Sequence, residues 1–182
     1  SKNVLLVHAA GNDAKDVDVK DNFPNPNYVN GGRAGNVITV GASAEPNSGS
    51  YTASFSNYGK NEVDVFSPGV KIYSTLPGGK NYGNLSGTRM AGPLVGGIVA
   101  LTLEYFPTLT AKQLKYVIEK SAQSPGVKVD KPGTDEKVEL SELSRTGGIV
   151  NAYEAVKLAA TLTGENNKET LPRPKMIKGK KG

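Results

Sequence analysis

The feature that most constrains this chain is the turn Ser86-Gly87-Thr88 with the apolar run behind it, Met90 to Phe106. An extended stretch ends at Gly87. The run that follows is rich in Val, Leu, Ile, Ala and Gly, and Pro107 stops it. Such a run reads as a buried helix, and Gly92, Gly96, Gly97 and Ala100 let it approach a sheet closely. The chain must therefore supply a sheet to receive it. Asn3 to Ala10 and Val37 to Gly41 answer that need: they are nearly continuous apolar runs, as expected of parallel strands covered on both faces. The fold class expected is α/β, with a mostly parallel sheet of about three or four parallel strands.

The other segments fit this plan. Val63 to Phe66 and Val70 to Leu76 read as short strands flanking the Pro68-Gly69 turn. A second helix begins at Thr110, with Gln113 three residues on in a capping-box pattern. Leu114, Val117, Ile118 and Ala122 form its apolar stripe. A third begins at Asn151, with Glu154 in the same relation and Gly164 placed to end it. Asp13 to Gly35 and Ser43 to Gly59 read as surface loops. Ser124 to Ser144 reads as an exposed hairpin or loop.

The 182 residues suit one domain with a real core. Residues 1–164 form that unit in this reading, and 165–182 a solvated basic tail with no periodic pattern. The tail carries six Lys or Arg against two Glu, so +4 of the net +5 lies there. A nucleic-acid reader would carry its charge on a folded face, so no nucleic-acid partner is expected. The apolar stretch Pro93 to Phe106 is too short to cross a bilayer and is broken by Glu104, so no membrane span is expected. The chain has no Cys, which excludes disulfides and thiolate metal sites. Acidic and Asn-rich loops at Asp13 to Asp18 and Asn22 to Asn25 lack the spacing of a calcium loop. No metal and no cofactor is expected.

Three residues stand out chemically. Position 89 sits where the chain enters the helix, among free N–H groups that favour negative charge. Many hydrolases place a Ser or Cys at such a spot; here it is Arg89. Asn12 follows the first strand, at the end where open α/β sheets bind ligands, although an Asn after a Gly also simply makes a turn. His8 is the only histidine and reads as a buried, hydrogen-bonded strand residue rather than a general base.

Ser86-Gly87-Thr88-Arg89-Met90-Ala91-Gly92-Pro93, continued by Val95 and Gly97, closely resembles the nucleophile motif of the subtilisin-like serine proteases. Arg89 occupies the place of the catalytic serine in that resemblance. Ser86 lies before Gly87, outside the turn, and cannot stand in for it. Val7-His8-Ala9-Ala10-Gly11-Asn12 resembles the family strand that ends in the oxyanion-binding Asn. Val37 to Ala42, Ala53 to Gly59, Val63 to Gly69, Ile72 to Thr75 and Gly148 to Ala152 follow in family order.

The resemblance implies part of a three-layer subtilisin-like sandwich, the C-terminal half of a catalytic domain. It implies a parent that cleaves peptide bonds through an acyl-enzyme, with peptide or protein substrates and an extracytoplasmic location. Asn12 takes the oxyanion position; Ala9, Ala10 and Gly11 resemble the wall of the primary specificity pocket. The family's Asp and His lie upstream of the strand at Asn3 to Ala10, on the missing N-terminal half. This chain is accordingly expected to be inactive by itself; the alternative is a pseudoprotease that binds peptides without cleaving them. Arg89 stands open between a natural loss, an introduced change and a gained anion site. A strand left without its neighbour at Asn3 to Ala10 is expected to pair with another copy of the chain.

Overall fold

The computed structural model describes residues 3–20, 22–45, 50–79 and 81–166. Of the basic tail only Glu165 and Asn166 fall within these ranges, so the expectation for 167–182 lies outside the described residues.

The chain builds a parallel sheet in the order β1 (Leu6–Ala9), β2 (Val37–Ser43), β3 (Val65–Pro68). Leu6 pairs with Val37 and Ala9 with Val40, while Val40 pairs with Val65 and Ser43 with Pro68. Successive side chains on a strand point to opposite faces. Ile38, Val40 and Ala42 therefore face one way, into a core with Val65 and all three long helices. These are α1 (Thr88–Tyr105), α2 (Ala111–Ser121) and α3 (Ala152–Ala159). They contribute Ala91 and Val95, then Leu114, Val117 and Ile118, then Ala155 and Ala159. Phe66 and Ala10 face the other way, into a second core with Val17, Tyr58 and Val63.

Local chemistry sets the helix starts. The Thr110 hydroxyl accepts from the Gln113 N–H at 3.2 Å, and the Gln113 side chain accepts from the Thr110 N–H at 2.9 Å, a complete capping box. The third helix has half of that arrangement. Asn151 caps the Glu154 N–H at 3.0 Å, but the Glu154 carboxylate turns outward to Lys157. That helix ends at Ala159 rather than at Gly164, which packs closely against Thr108.

Three expectations need correction. The segment expected as a strand over Val70 to Leu76 does not join the parallel sheet. It forms β4 (Ile72–Thr75), antiparallel to β5 (Tyr82–Leu85), a separate hairpin with the Tyr73 and Tyr82 rings stacked. The parallel sheet thus has three strands. The segment Ser124 to Ser144 is not simply exposed. Its two-residue strands β6 (Val129–Asp130) and β7 (Lys137–Val138) are antiparallel, and Val129, Val138, Leu140 and Leu143 are buried in the second core. The apolar residues were visible, but charged neighbours between them masked their spacing. Finally, the first strand is not covered on both faces: β1 lies at the sheet edge, as its missing neighbour implies, but Leu6 on one face is about half exposed (55%).

Candidate functional site

The site lies where β1 ends and α1 begins. After Ala10 the backbone turns through Gly11 at φ 104°, a conformation that disfavours a side chain. A Cβ there would meet the Asn57 amide nitrogen at 2.4 Å. Buried Asn57 organises this whole turn. Its Nδ2 donates to the Ala10 carbonyl at 2.9 Å, and its Oδ1 accepts from the N–H groups of Asp13 and Lys15 at 3.0 Å each. Its own N–H donates to the Gly11 carbonyl. Asn22 adds a second donor to the Ala10 carbonyl. Asn12 is thereby held on a fixed loop.

Thr88 ties that loop to the helix. Its hydroxyl accepts from the Gly11 N–H at 3.1 Å and donates to Asn12 Oδ1 at 2.9 Å; its N–H donates to the same oxygen at 2.9 Å. With Oδ1 fixed by two donors, the Asn12 amide plane is set and Nδ2 is turned toward Gly87. The Gly87 backbone has φ 153°. A Cβ at this position would lie 3.2 Å from Asn12 Nδ2 and 3.8 Å from the Arg89 nitrogen. Asn12 Nδ2 and the Arg89 N–H therefore both lie close to buried Gly87, and neither has a protein acceptor among the described residues. Convergent donors of this kind stabilise an oxygen that gains negative charge.

Arg89 is exposed and forms no ion pair or hydrogen bond among the described residues. It lines an apolar cavity of about 270 Å³ between the β4–β5 hairpin and α1, with Ile72, Leu76, Leu85, Met90, Pro93 and Leu94. Ser86 is also exposed, and its hydroxyl accepts from the Lys71 N–H at 2.9 Å. Ala9 and Gly11 are half-buried and Ala10 is fully buried.

His8 is brought elsewhere. It opens onto a separate polar cavity of about 120 Å³ shared with Asp18, Asn22, Thr39 and Glu62, and Arg89 is not among its lining residues. The expectation of a hydrogen-bonded histidine is corrected at Nε2, which is buried without a partner, as is Thr39 Oγ1. Burial pushes the His8 pKa down, because a charged imidazolium loses hydration there. Among the described residues, no group of three or more His, Asp or Glu stands close enough to hold a metal ion. No described helix is long and apolar enough to cross a membrane.

Sequence reasoning missed Thr88 and Asn57. Thr88 stood in the turn motif as a matching letter, and Asn57 in the run Ala53 to Gly59. Their hydrogen bonds span 77 and 47 residues, so no local pattern carries them.

A parallel sheet packed on helices, with a pinned strand-end Asn facing a strand-to-helix turn, defines an α/β protein. Comparison with known proteins gives the family. The description of the subtilase family, Peptidase_S8, matches residues 1–150, and the chain belongs to that family of serine proteases. It is 44% identical over 102 residues to subtilisin NAT of Bacillus subtilis subsp. natto, covering 51% of this chain and 26% of that protein. It is 36% identical over 134 residues to an extracellular protease of Xanthomonas campestris pv. campestris, covering 69% of this chain and 21% of that protein. A structure of the subtilase cytotoxin SubAB assembly superposes with a TM-score of 0.67 at 25% identity, over 85% of this chain and 48% of that one. The self-cleaved protease domain of PatA matches with a TM-score of 0.59 at 27% identity, over 87% and 51%. The chain thus spans about half the length of these solved protease chains and about a quarter of these curated relatives.

Proposed function

We propose that this chain is the C-terminal half of a subtilisin-like endopeptidase domain and is hydrolytically silent by itself. One observation carries the reading: Asn12 is pinned through Oδ1 to Thr88, with Nδ2 and the Arg89 N–H both close to Gly87. In the parent chemistry a serine oxygen attacks the scissile carbonyl, a histidine takes its proton, and the carbonyl oxygen becomes an anion. These two donors are suited to receive that anion. Ala9, Ala10 and Gly11, just before Asn12, supply backbone and small side chains for the wall of the substrate pocket. Arg89 takes the nucleophile position. A guanidinium has no lone pair to give to a carbonyl at neutral pH, so the acyl-enzyme cannot form.

In this reading a further segment of the domain covers the β1 edge and the open face of α1 and brings the Asp and His. Half-exposed Val4 and Leu6, and Leu94 and Leu101 on α1, support it. Residues 1–164 are the folded unit of the proposal, and Glu165 and Asn166 still bond to Gln113 and Thr108 of that unit. The parent acts on peptides outside the cytoplasm, as the name of its Xanthomonas relative says of that protein.

The second reading is a peptide-binding module that does not cleave, favoured by an Arg89 guanidinium with no partner among the described residues. The two are separated by restoring serine. The full-length protein carrying Arg89→Ser is treated with a serine-directed phosphonate and assayed on a peptide substrate. Labelling and hydrolysis support a silenced protease. Absence of both, with the upstream Asp and His in place, supports the binding module.

A further inference from the structure

Resting on the peptide-binding reading of the same site, we infer that Arg89 and its neighbouring cavity receive the C-terminal carboxylate of a peptide whose last side chain is apolar. Three observations converge. First, among the described residues Arg89 is the only charged group lining the 270 Å³ cavity; the rest is Ile72, Leu76, Leu85, Met90, Pro93 and Leu94 with small polar or glycine positions. An apolar pocket with one cation selects a ligand that is apolar and carries one anion. Second, the guanidinium has no carboxylate or carbonyl partner among the described residues, so binding an anion breaks no existing contact. Third, Arg89 is exposed, so its guanidinium is within reach of a ligand from solvent.

A terminal carboxylate matches this set where an internal peptide carbonyl does not. It has two oxygens and a full charge, so the planar fork of the guanidinium can take both oxygens at once. The cavity volume argues for a single side chain rather than a whole small ligand, since ligand pockets commonly run from about 300 Å³ upward. A Leu or Phe side chain entering it is surrounded by the hairpin on one side and α1 on the other. No bond is made or broken; the exchange is of water for ligand.

The test uses the full chain and fluorescence anisotropy with labelled peptides. One ends in Leu as the free acid, one in Leu as the amide, and one in Ser as the free acid. Charge-assisted hydrogen bonds set the scale, so the Leu acid is expected to bind about tenfold or more tightly than the Leu amide. It is expected to exceed the Ser acid by a similar factor. Arg89→Gln removes the preference for acid over amide, and Arg89→Lys retains part of it. Salt at about 0.5 M on the unsubstituted chain shrinks the same ratio, because an exposed pair is screened. Equal affinity for acid and amide, or a ratio that survives Arg89→Gln, overturns the inference while leaving peptide binding in place. No binding of any peptide by chain that is folded by circular dichroism overturns both.

Discussion

The two sides of α1 are built on opposite terms. On the side facing α2 and β3, the buried charges are paired, although Arg33 Nε, Thr39 Oγ1 and Ser67 Oγ are buried without a partner. Asp64 is fully buried, yet its carboxylate accepts from the Thr39 N–H at 2.7 Å and pairs with Arg33 and Lys115 at 3.1 Å each. Arg33 also pairs with Glu62 at 2.8 Å, and Glu119 lies 3.4 Å from Lys115. Burial raises the Glu119 pKa, and Lys115 pulls it back down. This network joins the loop carrying Arg33 to the sheet and to α2. On the other side, Leu94, Leu101 and Tyr105 of α1 and Tyr73, Tyr82 and Leu85 of the hairpin are exposed, and β1 has an unpaired edge. The difference teaches that this chain is energetically finished on one side and open on the other. The proposed site lies on the seam.

The sharpest way to break that comparison is to substitute one residue on each side. Asp64→Ala leaves Arg33 and Lys115 largely buried without their shared counter-charge. It is expected to cost about 3–5 kcal/mol in urea unfolding. Leu101→Ala, at an exposed position, is expected to cost less than about 1 kcal/mol. If the two costs are equal, the open side is not open in solution. If Leu101→Ala becomes costly once the covering segment is supplied, the reading of α1 is sharpened.

The next effect is on association. An exposed hydrophobic strand edge pairs with another chain, and an edge lysine blunts that tendency. Light scattering is expected to show dimers or larger species, and Leu6→Lys to weaken association by about tenfold or more. A unsubstituted chain that is monomeric at all concentrations, with fast amide exchange over residues 4–8, contradicts pairing through β1.

The smallest expected effect comes from His8. Its folded pKa lies below the ordinary value, so as pH falls through about 6.5 the unfolded chain takes up a proton before the folded one does. Stability is therefore lost as pH falls through that range and is retained above it. His8→Gln should flatten this part of the stability curve measured by urea unfolding between about pH 7 and pH 5. An unchanged slope would place its origin elsewhere.

Much of this was legible in the chain itself, and for local reasons. The capping box at Thr110 and Gln113 involves residues three apart, so its letters predict its hydrogen bonds. The parallel strands announced themselves because burial on a helix-covered face demands apolar runs. The edge position of β1 was read from the missing neighbour that the family resemblance implies. The hairpin β4–β5 was read only in part. Val70 to Leu76 has the composition of a strand, but which strand it pairs with depends on the partner Tyr82–Leu85 and on the turn between them. The segment after Ser124 misled for a similar reason: Val129, Val138, Leu140 and Leu143 are buried by contacts with Tyr58, Val63 and Phe66, far away in the chain.

At the site the division is clearest. The sequence alone determined that a strand ends in Gly11-Asn12, that a turn at Gly87 opens a helix, and that Arg89 stands at its entrance, because composition and short spacing govern those events. Only the tertiary structure decided that Thr88 holds Asn12 by its carbonyl and leaves its amide free. It alone set Asn57 as the brace of the loop, turned His8 toward a different cavity, and left Arg89 beside an apolar pocket with no partner among the described residues. Hydrogen bonds across 47 to 77 residues and the direction of a side chain depend on how distant elements pack, and no local pattern encodes that geometry.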